Sequence, residues 1–230
     1  MRTCLPAAIA IVLLTGPASA QDIEADESAP EPPVRKTANG PRLHDGFYLR
    51  FATGLAGMGL SRKLDTPAAG TAEAKINGGG ATSELSIGGT PASGLVLAGT
   101  LLAFSNSTPT YKSGGVDQDL DGTLEVGMLG ATVDWFLNPE KGFHLAGTLG
   151  MVGARAPSPP TDVRPRIGGN GMGLSLAVGY DFWIGEQWSI GVLGRFTFAG
   201  LQDRTVRSEG TYSEKDAFAA FGVMATVLYH

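Results

Sequence analysis

FAAFGVMATVLYH, residues Phe218–His230, is the stretch on which the fold turns. Ala219, Phe221, Val223, Ala225, Val227 and Tyr229 take alternate positions and form one uncharged face ending in an aromatic ring. Ala220, Gly222, Met224, Thr226 and Leu228, between them, are smaller or mixed. A period of two sustained over about a dozen residues is a β-strand with two different environments. A strand of this length, apolar on one face and finishing the chain, has the pattern of a strand that closes a transmembrane β-barrel.

Composition is consistent with that reading. Glycine supplies 34 of 230 residues, and charged residues make up only 17%. Average usage is about 7% glycine and about 25% charged. Glycine weakens ordinary strands, but in a small barrel it lets a tapered interior close. Net charge is −5, which argues against a nucleic-acid partner. At the N-terminus, Arg2, the apolar run Ala7–Leu14 and the small residues Ala18-Ser19-Ala20 predict a signal peptide over residues 1–20. Cleavage after Ala20 would remove Cys4, the only cysteine, and with it any disulfide or thiolate metal site. Beyond the signal, no apolar run is long enough for a transmembrane helix.

Residues 21–45 combine Asp22, Glu24, Asp26, Glu27 and Glu31 with Pro30, Pro32 and Pro33. So few apolar groups cannot offset ordering entropy, and a disordered periplasmic tether is expected. Residues 46–230 read as eight strands. Short turns fall at Thr90–Ser93, Asn138–Gly142 and Gly185–Gln187, and long polar connections at Ser61–Ala81, Ser105–Asp121, Arg155–Gly169 and Leu201–Lys215. Short and long connections alternate, which places the short turns in the periplasm and the long loops outside the cell.

The charges decide which face meets lipid. Trp188, Ile190, Val192, Phe196 and Phe198 alternate with Ser189, Gly191, Arg195 and Thr197, and the first strand sets Phe47, Leu49, Phe51 and Leu55 against Tyr48, Arg50, Ala52 and Gly54. Charges fall on the second face, the reverse of a soluble barrel. Phe47, Trp135, Phe143, Tyr180, Phe182, Trp188 and Tyr229 cluster near the short-turn end, as an aromatic girdle requires. The strand Gly94–Phe104 is apolar on both faces, and its orientation stays open.

The Val133-Asp134-Trp135-Phe136 strand end, the Asn138-Pro139 turn and the Gly222…Ala225…Val227…Tyr229 terminus resemble the small outer-membrane β-barrels of the OmpA/OmpX-like class. The resemblance implies an all-β, eight-stranded antiparallel up-and-down barrel in the outer membrane, surrounded by lipid. It also implies that Gly222, Ala225, Val227 and Tyr229 are the signal read by the barrel-assembly machinery. Here Tyr229 is penultimate and His230 last, a departure from the usual terminal aromatic.

Arg50, Glu84, Asp134, Asp181 and Arg195 face inward, with His144 beside the second short turn. An eight-stranded interior has room only for side chains, so these charges must pair, and Arg50 with Asp134 or Asp181 is the expected pair. A proton or ion path through them is the competing reading. Asp117, Asp119 and Asp121 followed by Gly122 open like a calcium loop, but Glu125 stands ninth where an EF-hand needs a twelfth-position glutamate. No metal or other cofactor is therefore assigned. His44, His144 and His230 all map to the periplasmic end, whereas enzymes of this fold class place histidine near the outer rim. A non-enzymatic barrel with a structural or surface-interaction role is the expectation, and a small pore or transporter the alternative. Pro157, Pro159, Pro160, Arg164 and Arg166 mark one loop that could meet an extracellular partner.

Overall fold

The computed structural model describes residues 44, 46–66, 70–157, 168–207 and 210–230. The expected signal peptide and, apart from His44, the expected tether lie outside the described residues, as do Pro159, Pro160, Arg164 and Arg166.

The strands are β1 (Gly46–Thr66), β2 (Gly70–Ala92), β3 (Leu95–Asn106), β4 (Thr110–Ser113), β5 (Val116–Asp119), β6 (Leu124–Phe136), β7 (Phe143–Arg155), β8 (Gly168–Trp183), β9 (Trp188–Arg207) and β10 (Gly210–Tyr229). All pairings are antiparallel, and β1 bonds to both β2 and β10, which closes the sheet. Eight strands form the wall, and the β4–β5 hairpin is added to the outer part of β2 through Ala74–Asn77. The C-terminal strand is the seam, running in register from Leu49↔Tyr229 to Lys63↔Lys215.

Burial follows the period-two pattern. Leu55 is 76% exposed and Phe182 58% exposed, while the neighbouring lumen-facing positions Ala56 and Asp181 are buried. Every wall strand presents large apolar side chains outward over part of its length, the condition for sitting in hydrocarbon. On β3, Val96, Ala98, Thr100, Leu102 and Phe104 point inward, and Leu97 and Leu101 point to lipid, which settles the strand whose two faces look alike.

The long connections differ from the sequence expectation. Much of Ser61–Ala81 and Leu201–Lys215 is strand: β1 and β2 stay paired to Thr66↔Gly70, and β9 and β10 to Arg207↔Gly210. Ser105–Asp121 contains the β4–β5 hairpin. These stretches carry polar and charged residues in both phases of the strand, so the apolar alternation that marks a strand is missing from the sequence while the hydrogen-bond ladder continues. The first short turn is also tighter than expected, because β2 runs to Ala92. A register shift between Gly89 and Ala92 accommodates Pro91, and Gly94 takes φ +76°, a value suited to glycine.

Candidate functional site

The lumen is the part of the molecule where chemistry-bearing groups converge, and it is layered. Nearest the short turns is a floor made by the two ends of the barrel chain. The N–H of His44 donates to the Pro139 carbonyl (3.1 Å), and the Gly94 N–H donates to the His44 carbonyl (3.4 Å). His230 N–H donates to the Gln187 carbonyl (2.9 Å), and the Tyr229 hydroxyl to Gln187 Oε1 (2.9 Å). All three short turns are thus tied to one chain end or the other. His44 Nδ1 and His230 Nε2 share a hydrogen bond of 3.0 Å, which joins the two ends.

The His44 ring stacks on Phe136 (centroids 3.7 Å apart), and Phe136 stacks in turn on His144 (4.8 Å). Burial, reinforced by the neighbouring His230, lowers the His44 pKa to about 3, and burial lowers that of His230 to about 4. Both rings are neutral near pH 7. His44, which the sequence assigns to the segment 21–45, is wholly buried in the barrel. A lone histidine in an acidic stretch carries no period that would have revealed this.

Above the floor, the inward ionisable residues form a connected cluster. Arg50 donates from Nη2 to Glu84 Oε1 (2.6 Å) and from Nη1 to Asp134 Oδ2 (2.6 Å), while Arg195 pairs with the other Glu84 oxygen. Of the two partners expected for Arg50, Asp134 is the one in contact. Asp181 lies instead beside His144 Nε2 (3.3 Å) and accepts from the Thr226 hydroxyl (2.9 Å). His144 Nδ1 meets Asp134 Oδ1 at 2.7 Å, and the Tyr48 hydroxyl donates to Asp134 Oδ2 (3.0 Å). Glycines make the room, because a Cβ at Gly179 would overlap the His144 ring and one at Gly191 would overlap Asp181.

A chain of hydroxyls that sequence reading missed continues from this cluster. Ser86 donates to Glu84 (2.7 Å), and further bonds link Ser86 to Thr100 (2.8 Å), Thr100 to Thr132 (2.6 Å) and Thr132 to Thr148 (2.7 Å). It steps from β2 through β3 and β6 to β7, around the wall and not along the barrel axis. Each hydroxyl sits in the inward phase of its strand, the signal that could have found it.

The outer half of the lumen is different. Met58, Leu60, Ile76, Leu102, Phe104, Met128 and Phe218 belong to one buried apolar cluster that Leu120, from the segment after β5, completes from above. Beyond it a buried Arg62–Asp216 pair joins β1 to β10, with Nε–Oδ1 and Nη2–Oδ2 both 2.7 Å.

Phe47, Trp135, Phe143, Tyr180, Phe182 and Trp188 are exposed on the outer wall at the short-turn end. Tyr229 sits among them, with Trp188 at 5.1 Å and Phe47 at 6.1 Å. Of the terminal motif, Ala225 and Val227 face outward with Tyr229, and Gly222 faces the lumen. Asp117 pairs with Lys112 (2.5 Å), and Asp119 accepts from Thr110 (3.0 Å). These bonds brace the hairpin, and among the described residues no group of metal-ligating side chains comes together.

No protein-family model matches the sequence, and no curated protein does. Among solved structures, the fold is similar to that of the outer membrane protein OprG from Pseudomonas aeruginosa. The TM-score is 0.52 at 13% identity, over 83% of this chain and 100% of that one. It is also similar to Neisserial surface protein A, with TM-score 0.44, 14% identity and 80% and 96% coverage. The outer membrane protein AlkL gives TM-score 0.47, 8% identity and 84% and 94% coverage. At these identities the likeness is one of fold. The chain folds as a small eight-stranded outer-membrane β-barrel, and its apolar belt is that of a protein embedded in that membrane.

Proposed function

We propose that this protein is a non-enzymatic, non-conducting barrel that acts at the cell surface through the strands it raises above the membrane. The observation that carries this reading is the filling of the lumen in two unlike layers. A solute or ion would have to displace the Arg50–Glu84–Arg195 cluster and then cross an apolar layer that offers it no polar partner. The hydroxyl chain runs circumferentially, so it supplies no proton relay through that layer. In this reading Arg50, Glu84, Asp134, His144, Asp181 and Arg195 are a structural plug.

Enzymatic chemistry finds little support in the lumen. The array Asp134–His144–Asp181 places a carboxylate on each side of the imidazole, is wholly buried, and brings no hydroxyl nucleophile to the ring. The outer parts of β1, β2, β9 and β10, with β4 and β5, form a continuous paired sheet, the surface best suited to an extracellular protein partner. In this reading Gly222, Ala225, Val227 and Tyr229, on the seam strand β10, serve the barrel-assembly machinery.

Conductance of the purified, folded barrel in planar bilayers is the test. No steady channel is expected. A reproducible unitary conductance would overturn the reading in favour of a small pore or transporter.

A further inference from the structure

The methionines divide into two groups by the face they occupy. Met58, Met128 and Met224 point into the lumen and are buried. Met151 on β7 and Met172 on β8 lie on the lipid-facing wall, 64% and 56% exposed. The two stand directly opposite each other across the β7–β8 pairing. Packing does not call for sulfur at these places, since leucine serves the equivalent outward positions 149 and 174 in the next row.

The rows on either side fix the height of this pair on the wall. Toward the short turns the adjoining row is Leu149, Leu174 and Phe198, all large, apolar and exposed. Toward the surface it is Gly153, Asn170 and Gln202, with both amides exposed. An amide facing hydrocarbon without a partner is costly, so the lipid belt ends between these rows. The methionine pair is therefore the last apolar row that β7 and β8 present before water. Across from Met172 on β9 is Gly200, and the two border a groove in the outer wall that leaves one flank of the thioether open.

We propose that Met151 and Met172 are a paired methionine-oxidation site at the outer boundary of the membrane, open to peroxide-class oxidants from outside the cell. A sulfur lone pair attacks one peroxide oxygen, the O–O bond breaks, and the S–O bond forms as water leaves; sulfur is oxidised and the peroxide reduced. A sulfoxide is polar, so oxidation of both residues turns the last apolar row of β7 and β8 into a polar one. The edge of the lipid belt then retreats by two residues on each strand, roughly 6–7 Å along it. The lumen methionines are shielded from the same reaction by the wall and by their packing. The proposal does not depend on whether the lumen conducts or on what the surface strands bind.

Peptide mass spectrometry of the folded protein in phospholipid vesicles, treated with dilute hydrogen peroxide, tests it. Met151 and Met172 are expected to gain oxygen at least roughly tenfold faster than Met58, Met128 and Met224. In urea-unfolded protein the five should react alike. Leu176→Met separates height from exposure, since Leu176 is 51% exposed but lies two rows nearer the membrane centre than Met172. The thioether it introduces is expected to react more slowly than Met151 and Met172. The heat-dependent mobility shift on gels certifies the variant as folded, and Leu145→Met replaces it if that check fails. Rates within about twofold across the five methionines of the folded protein would overturn the proposal, as would a lumen methionine reacting first. A rate at position 176 equal to that of Met172 would equally overturn it, since the boundary would then play no part.

Discussion

Toward the short turns the lumen holds Arg50, Glu84, Asp134 and Arg195; a few residues further along the same strands it holds Met58, Leu60, Phe104 and Met128. Both layers are buried and both are filled. In the lower one each ion is held by named partners at fixed distances, so geometry is specific and the removal of one member leaves another charge stranded. In the upper one nothing needs a particular partner, only volume. The pairing of a specific layer with a space-filling one is what the proposed non-conducting reading rests on: the apolar layer offers an ion no polar partner, and the charged layer offers an apolar solute no apolar one.

The sharpest way to break this contrast is Arg50→Ala. Glu84 would lose one of its two guanidinium partners, and Asp134 would keep only His144 and Tyr48. A loss of about 3–5 kcal/mol is expected, the range for breaking a buried ion pair from one side. Arg50→Lys should recover part of it, because an ammonium restores charge but not the two-pronged geometry. Urea unfolding of the barrel in lipid, followed by tryptophan fluorescence, measures both. A cost under about 1 kcal/mol for Arg50→Ala would mean that the lower layer is no more specific than the upper.

In the apolar layer, Met128→Ala should cost about 2–5 kcal/mol, through lost transfer energy plus the cavity left behind. Met128→Leu, which nearly conserves volume, should cost less than about 1.5 kcal/mol. That asymmetry separates a space-filling layer from a specific one. If Leu at 128 were as damaging as Ala, the layer would depend on shape as closely as the ion cluster depends on charge.

The same contrast explains what the sequence could reveal. The faces of β1, β8 and β9 are legible because an unpaired charge is costly in lipid, and Arg50, Asp181 and Arg195 each fix the phase of one strand, while β10 is legible from its period-two alternation alone. The eight-stranded barrel followed from those phases and from the alternation of short and long connections. The orientation of β3 was not legible, because its inward residues Leu102 and Phe104 line the apolar layer and so resemble its lipid-facing Leu97 and Leu101. Asp134 and Asp181 were equally plausible partners for Arg50, since phase gives a face and not a contact. Only the packing of the cluster, with His144 between the two carboxylates, separates them. The extensions of β1, β2, β9 and β10 look like loops in the sequence because the alternation of apolar with polar residues stops there. His44 looks like part of the acidic segment because its partner, His230, is 186 residues away.

The floor offers the smallest expected effect and a test by pH alone. His44 and His230 are buried as neutral rings with pKa values lowered to about 3 and about 4 from an ordinary 6.5. In the unfolded chain both would take up protons below about pH 6.5, while the folded barrel resists doing so until the lower values are reached. The unfolded state thus binds more protons throughout that window, and stability must fall as pH drops through it and stay level above it. The facing groups are Asp134, which opposes the effect, and His144, which adds to it. For the pair, a loss of about 2 kcal/mol by pH 6 is expected, each ring contributing about 0.8 kcal/mol half a unit below its unfolded pKa. Since two imidazolium rings can only donate, the 3.0 Å bond joining the chain ends is broken when both are charged. Urea midpoints measured from pH 8 to pH 4.5 check this, with His44→Gln as the control. The variant should start lower at pH 8 and show a shallower slope below pH 6.5. An equal slope in wild type and variant would assign the acid sensitivity to the carboxylates of the lower layer and leave the floor with no part in it.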